Sequence, residues 1–312
     1  MKIIFLDAKS VGEDIDFSNF QNLGDFVTYD YTAHDEISER VSDADVIITN
    51  KCLMNEETLK NAQNVKLICV TATGTNNLDK DYLDKHGIAW RNVAGYSTES
   101  VAQHTFAMLF YLLEKLNYYD NYVKDGRYAN DISFTHFAEH FREVRGMTWG
   151  IIGLGNIGKR VADIAKCFGA NVIYYSTSGK NIQPEYSPVD FETLLKTSDI
   201  ISVHAPLTSE TQELMNLEAF KQMKNTAIFL NLGRGAIVVE EDLAQALENH
   251  WIAAAGLDVL CEEPMNPNCP LLPIKDSKRL LITPHVAWAS VEARTALMKL
   301  VFKNITEFYG IS

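Results

Sequence analysis

The chain has 312 residues, room for about two domains. Hydrophobic residues make up 46% and charged residues 22%, the balance of a globular protein with a sizeable core. Lys and Arg number 28 against 41 Asp and Glu, a formal net charge of -13. That excess of acid argues against nucleic acid or an anionic membrane as a partner, because both recognise basic surfaces.

Residues 3–6 give a run of only four apolar side chains before Asp7, too few for the core of a secretory signal. The most apolar helix-like run, residues 106–113, falls far short of the roughly 20 residues that a membrane span needs. The cysteines, Cys52, Cys69, Cys167, Cys261 and Cys269, are odd in number and scattered, with no CxxC pair. This predicts a reducing, cytoplasmic setting without disulfides and without a metal site.

In chain order, residues 2–7, 26–30, 45–49, 66–71 and 88–92 read as short buried strands, with helical stretches such as 56–62 between them. Strands alternating with helices predict βαβ units and a parallel sheet. Residues 100–116 form a long helix that is apolar on most faces, which predicts burial between layers. Residues 118–145 are rich in aromatic side chains, among them Tyr118, Tyr122, Phe134, Phe137 and Phe141, and read as a subunit contact, with packing within the chain as the alternative. A second alternating series follows, with strands predicted at 148–152, 171–176, 200–204, 226–232, 253–259 and 280–283. A helix from Ser290 to about Tyr309 ends the chain. The fold class is therefore α/β, with two doubly wound parallel-sheet domains.

Gly153-Leu154-Gly155-Asn156-Ile157-Gly158 fits GxGxxG, a weak pattern by itself. Here a strand precedes it and an amphipathic helix follows, the context of a dinucleotide-binding turn. The glycines let the backbone approach a pyrophosphate, and the helix N-terminus adds free N–H groups and a positive dipole end. The next strand runs into Tyr175-Ser176-Thr177-Ser178-Gly179-Lys180. An NAD-preferring site places an acid there for the ribose hydroxyls. Here hydroxyls and Lys180 stand instead, which predicts NAD or NADP with a lean toward tolerating NADP.

Three later strands end in polar side chains: Arg234 in Asn231-Leu232-Gly233-Arg234-Gly235, Glu263 in the stretch from Asp258 to Pro264, and His285 in Thr283-Pro284-His285. Ligands of open parallel sheets bind beyond the carboxyl ends of the strands, so these three should meet at the cofactor crevice. Together with Gly153–Gly158 and His204-Ala205-Pro206-Leu207-Thr208, they make the chain resemble, over essentially its whole length, the D-isomer-specific 2-hydroxyacid dehydrogenase family.

The resemblance implies a Rossmann nucleotide-binding domain, residues 99–285, inserted in a flavodoxin-like substrate domain made of residues 1–98 and 286–312. It implies that His285 exchanges a proton with the C2 oxygen of the substrate, a task suited to imidazole. Glu263 would be its carboxylate partner, and Arg234 the fork that holds the substrate. Gly153, Gly155, Asn156, Ile157, Gly158, Ser176, Thr177, Lys180, His204, Pro206, Leu232, Gly233, Arg234, Asp258 and Thr105 would line the cofactor. Lys51 and the amides of Thr73 and Gly74 would meet the substrate carboxylate, as a nest of N–H groups can. Trp288 would wall the pocket beside His285.

The segments 72–76, 100–104 and 285–290 look like the glycerate dehydrogenase (hydroxypyruvate reductase) group, which implies a short, polar 2-keto acid such as hydroxypyruvate or glyoxylate. A homodimer built on the nucleotide domain is implied as well. Two alternatives stay open: a dehydrogenase for a larger D-2-hydroxy acid, and a dinucleotide-sensing, corepressor-like binding protein of the same fold.

Overall fold

The computed structural model describes residues 1–179, 183 and 185–311, and its chain separates into two compact units. One comprises Met1–Ser97 and Trp288–Ser312, the other Thr98–Ala287.

In the first unit, strands β1 (Lys2–Phe5), β2 (Asp25–Thr28), β3 (Val46–Thr49), β4 (Leu67–Val70) and β5 (Ala89–Arg91) form one parallel sheet in the order β2-β1-β3-β4-β5. Successive side chains of a strand point to opposite faces, so a strand covered on both sides must be apolar throughout. The sequence obeys this. Ile3, Phe5, Val46, Ile48 and Leu67 enter one core, while Ile4, Ile47, Ile68 and Val70 enter the other. The helix Val291–Tyr309 covers the first face with Leu297, Met298, Val301 and Ile305. Its start is fixed by the Ser290 hydroxyl, which accepts the Ala293 N–H at 3.1 Å, and its end by Gly310 in a left-handed conformation.

The second unit holds β6 (Thr148–Ile152), β7 (Asn171–Tyr175), β8 (Ser187–Pro188), β9 (Ile200–Val203), β10 (Ile228–Asn231), β11 (Ala254–Leu257) and β12 (Leu280–Ile282). They pair in parallel in the order β12-β11-β10-β9-β6-β7-β8. The order reverses between β6 and β9, the switch point where such sheets take ligands. The strands are shorter at their ends than the sequence suggests, which leaves His204, Leu232 and Asp258 just past them, on the loops. The two-residue β8 was not expected: its Pro lacks a donor, and only an edge position tolerates that.

The predicted helix 100–116 is instead Thr98–Leu113 followed by Leu116–Lys124. Lys115 breaks it with φ 55°, and its ammonium reaches the Lys278 carbonyl at 3.1 Å. Burial holds the Lys115 amine below its usual range. The first of these helices is buried along Val101, Ala102, Phe106, Met108, Leu109 and Leu112, and it packs on β10 and β11. No helix among the described residues is long and apolar enough to cross a membrane.

Between β6 and β9 runs a short polar relay. Trp149 Nε1 donates to Ser202 Oγ at 2.9 Å, and His204 Nε2 lies 3.1 Å from the same oxygen. His204 Nδ1 is buried without a partner among the described residues, and burial pushes the imidazole down to about 3. The unfolded chain takes up that proton near pH 6.5 and the folded chain only near 3, so acidification across this window favours unfolding. The contribution is fully present above pH 6.5 and changes by at most about 1.4 kcal/mol per pH unit. The stability advantage of the wild-type apoprotein over His204→Gln should therefore shrink steadily between pH 6.5 and pH 4 in urea titrations. A constant difference would contradict it.

Candidate active site

The turn after β6 has the form of an anion site. Gly153 adopts φ 89°, a conformation that L side chains rarely take, with Ala205 packed directly over it. A Cβ on Gly158 would meet the Gly153 carbonyl oxygen at 2.2 Å, so only glycine lets the helix Asn156–Cys167 start this close to the strand. A Cβ on Gly155 would meet nothing within 4 Å: that face is open to a ligand. Asn156 and Ile157 precede the first helical bond, which runs from Lys159 to Gly155, and no described residue outside the helix accepts their N–H groups.

Beyond β7, Ser176 Oγ is buried and unpartnered among the described residues, and Thr177 is half-buried. Lys180 lies outside the described residues. The orphaned Ser176 hydroxyl and His204 Nδ1, with the open glycine turn, fit a nicotinamide dinucleotide.

Arg234 is held by its neighbours. A Cβ on Gly235 would overlap the Leu260 carbonyl carbon at 1.9 Å, so the Arg234 turn is pressed against the loop that follows β11. Asn231 Nδ2 donates to the Arg234 carbonyl at 2.9 Å, and Asn231 Oδ1 accepts the Gly233 N–H at 3.0 Å. The guanidinium donates to the Gly233 carbonyl at 2.8 Å. Among the described residues no carboxylate pairs with it, which leaves donors for a ligand.

Leu260, touched by the Arg234 turn, donates its N–H to Glu263 Oε1 at 3.0 Å, and Glu263 Oε2 lies 2.7 Å from His285 Nδ1. Residues far apart in sequence thus form one chain of contacts, from the Arg234 turn through Leu260 and Glu263 to His285. Glu262 faces elsewhere and accepts from Asn266 Nδ2 at 2.8 Å.

His285 has φ 53°, an uncommon conformation for a residue with a side chain. Asp258, 2% exposed, holds it there. The Asp258 carboxylate accepts the Thr283 hydroxyl at 2.6 Å and the N–H groups of Val286 and Ala287, both at 2.9 Å, and its carbonyl accepts the His285 N–H at 2.8 Å. His104 supports the same cluster, with Nε2 3.1 Å from Thr283 Oγ1 and 3.6 Å from Asp258 Oδ1. His104 and Thr283 stand in segments that carry the family resemblance, but the sequence assigned them no role; their bonds to Asp258 are visible only in the fold. Thr105 is fully buried, and its hydroxyl donates to the Val101 carbonyl. Pro206 is exposed, and its carbonyl accepts from Thr211; Leu232 is buried and donates its N–H to Val203.

Other candidates lie in the first unit. Lys51 is exposed after β3. Thr73 and Gly74 lie in the loop after β4, and no described residue accepts their N–H groups. Thr73 is fixed by its hydroxyl on the Val93 carbonyl, at 3.0 Å, and by Asn92 Nδ2 on its own carbonyl, at 2.6 Å. Trp288 is half-buried and packs edge-on against Tyr96, with ring centroids 6.2 Å apart, beside the core that the last helix covers. No cluster of three or more metal-binding side chains occurs among the described residues.

Known proteins resemble this chain in sequence and in fold. The family model "D-isomer specific 2-hydroxyacid dehydrogenase, NAD binding domain" matches residues 106–287, within the second unit. A hydroxypyruvate reductase of Blautia hydrogenotrophica is 34% identical over 99% of this chain and 97% of its own length. A glycerate dehydrogenase of Methylorubrum extorquens is 35% identical over 98% and 96%. Among solved structures, an acyclic imino acid reductase in complex with NADPH and D-Arg superposes with a TM-score of 0.87 at 29% identity, covering 99% of this chain and 97% of that one. The chain belongs to the D-isomer-specific 2-hydroxyacid dehydrogenase family of oxidoreductases.

Proposed function

We propose that this chain reduces a short, polar 2-keto acid, hydroxypyruvate or glyoxylate, to the D-2-hydroxy acid. The observation that carries the reading is the 2.7 Å contact of Glu263 Oε2 with His285 Nδ1 beside the Arg234 turn. The dinucleotide, when bound, supplies the hydride that goes to C2. His285 Nδ1 donates to the Glu263 carboxylate, which leaves Nε2 to deliver a proton to the substrate oxygen. The negative charge of Glu263 stabilises the imidazolium that donates it. Arg234 uses its remaining donors on the keto acid, a planar bidentate task that Lys cannot copy. Lys51 and the unfilled N–H groups of Thr73 and Gly74 take the substrate carboxylate.

Gly153, Gly155, Asn156, Ile157 and Gly158 cradle the pyrophosphate, while Ser176 and Thr177, with Lys180 beyond them, take the adenosine ribose. His204, Pro206, Leu232 and Gly233 flank the nucleotide; Thr105 and Asp258 stand on the nicotinamide side. Residues 176–179 include no acid to repel a 2′-phosphate, which supports use of NADPH as well as NADH.

One observation favours a second reading. A cavity of about 700 Å3 lies against Glu263 and His285, lined by Met265, Leu271, Ile274 and Ile282. Such a surface suits a bulkier, apolar keto acid. A substrate panel decides: kcat/KM should be much higher for hydroxypyruvate than for phenylpyruvate, and the reverse order would select the second reading. His285→Asn should lower turnover by about 10²–10⁴-fold while NADPH binding, read by fluorescence, persists. Full turnover in His285→Asn would contradict the proton-donor role of His285, whereas a wild type that binds NADPH without turnover would leave only a sensor-like, binding role.

The reading includes a homodimer. Ile132, Phe134 and Phe137 are 107%, 91% and 78% exposed on an irregular segment. That segment is nonetheless clamped: Tyr122 and Tyr118 hydroxyls lie 2.8 Å from Asp131 and His136, and the Tyr119 hydroxyl donates to the Glu139 carbonyl at 2.7 Å. Apolar side chains held outward by polar clamps are suited to a preformed interface. Sedimentation should give about twice 35.1 kDa for the wild type, and a monomer for the triple replacement of Ile132, Phe134 and Phe137 by Ser. A monomeric wild type would contradict the dimer.

A further inference from the structure

Asp7 follows β1 and is 5% exposed. Its carboxylate accepts the N–H of Asn50 at 2.9 and 3.0 Å, the N–H of Lys51 at 2.8 Å and the Thr49 hydroxyl at 3.3 Å. The Thr49 hydroxyl in turn accepts the Cys52 N–H at 3.0 Å, so the chain beyond β3 wraps around this one acid. Among the described residues no cationic side chain pairs with it. Burial pushes the carboxyl up from its usual range, and the N–H bonds from Lys51 and Asn50 oppose that push.

The organised turn is tied onward. Asn77 Nδ2 donates to the Cys52 carbonyl at 3.0 Å, and the Met54 N–H donates to the Asn77 carbonyl at 2.8 Å. The loop that carries Thr73 and Gly74 is thereby fixed to the loop that carries Lys51.

The second unit repeats the device. Asp258 also stands just past a strand, is also buried, and grips two successive N–H groups and one threonine hydroxyl at the end of the neighbouring strand. There it orients His285. We infer that Asp7 is a positioning residue for the substrate: it aims Lys51 and, through Asn77, the amides of Thr73 and Gly74 at the substrate carboxylate. This rests on the reading of Lys51, Thr73 and Gly74 given above. A carboxamide at position 7 keeps the shape but turns an NH2 group toward backbone donors, so the turn loses its anchor.

The test compares wild type, Asp7→Asn, Asn77→Ala and Lys51→Met with hydroxypyruvate and NADPH. Asp7→Asn should raise KM for hydroxypyruvate at least about tenfold, the cost of one lost charge-assisted hydrogen bond, and Asn77→Ala should raise it by about threefold or more, the cost of a neutral one. Values of kcat should stay within about threefold, and NADPH affinity should not move, because a positioning role on the substrate alone changes uniform binding. A merely structural role would lower the melting temperature and leave this KM-against-kcat split absent. Should Asp7→Asn fail to fold, Asn77→Ala decides alone. If Lys51→Met raises KM while the other folded variants keep the wild-type value, the inference falls and the substrate reading stands. If all three keep the wild-type KM, both fall.

Discussion

The site depends on a buried carboxylate, Asp258, that is held chiefly by backbone N–H groups and a hydroxyl, with no Lys or Arg paired to it among the described residues. Asp258 takes two successive N–H groups and a threonine hydroxyl from the turn after β12. Water could satisfy those donors only in an open loop; inside the protein the acid must. With the turn fixed in this way, His285 is kept at φ 53° and its ring meets Glu263. Backbone strain of this kind persists only where the surroundings over-determine it. Removing the acid would free the turn and release the imidazole from its partner.

Parallel sheets explain why polar groups gather in this way. All strands of a unit end on the same edge, where carbonyl groups and loops accumulate and ligands bind. Acids placed one or two residues past a strand can reach the turn of the next strand over. Asp258 does so in the second unit and Asp7 in the first, each in its own sheet. Glycine completes the arrangement where backbones must touch: Gly158 against the Gly153 carbonyl, and Gly235 against Leu260.

The sequence made the sheet architecture legible because strands covered on both faces are apolar almost without interruption, as in residues 46–48 and 67–70. The glycine turn was legible through its context, a strand before it and an amphipathic helix after it. Lys115 was not: nothing in Glu114-Lys115-Leu116 marks a helix break, and the bond that Lys115 makes there, to the Lys278 carbonyl, is a tertiary one. Asp7 read only as the end of an apolar run, and its significance depends on Asn50 and Lys51, more than forty positions away in sequence. His104 was hidden by its place in a buried helix. Groups whose importance lies in what they hold, rather than in what they touch of a ligand, leave little local pattern.

In the proposed reaction the Glu263 carboxylate would hold His285 in place as the proton donor to the substrate oxygen. The direct measurement is single-turnover oxidation of saturating NADPH by hydroxypyruvate, in the wild type and in Glu263→Gln, which keeps the shape and removes the charge. In the variant the hydride-transfer step should be slowed by at least roughly tenfold. An unchanged rate would contradict this role of Glu263.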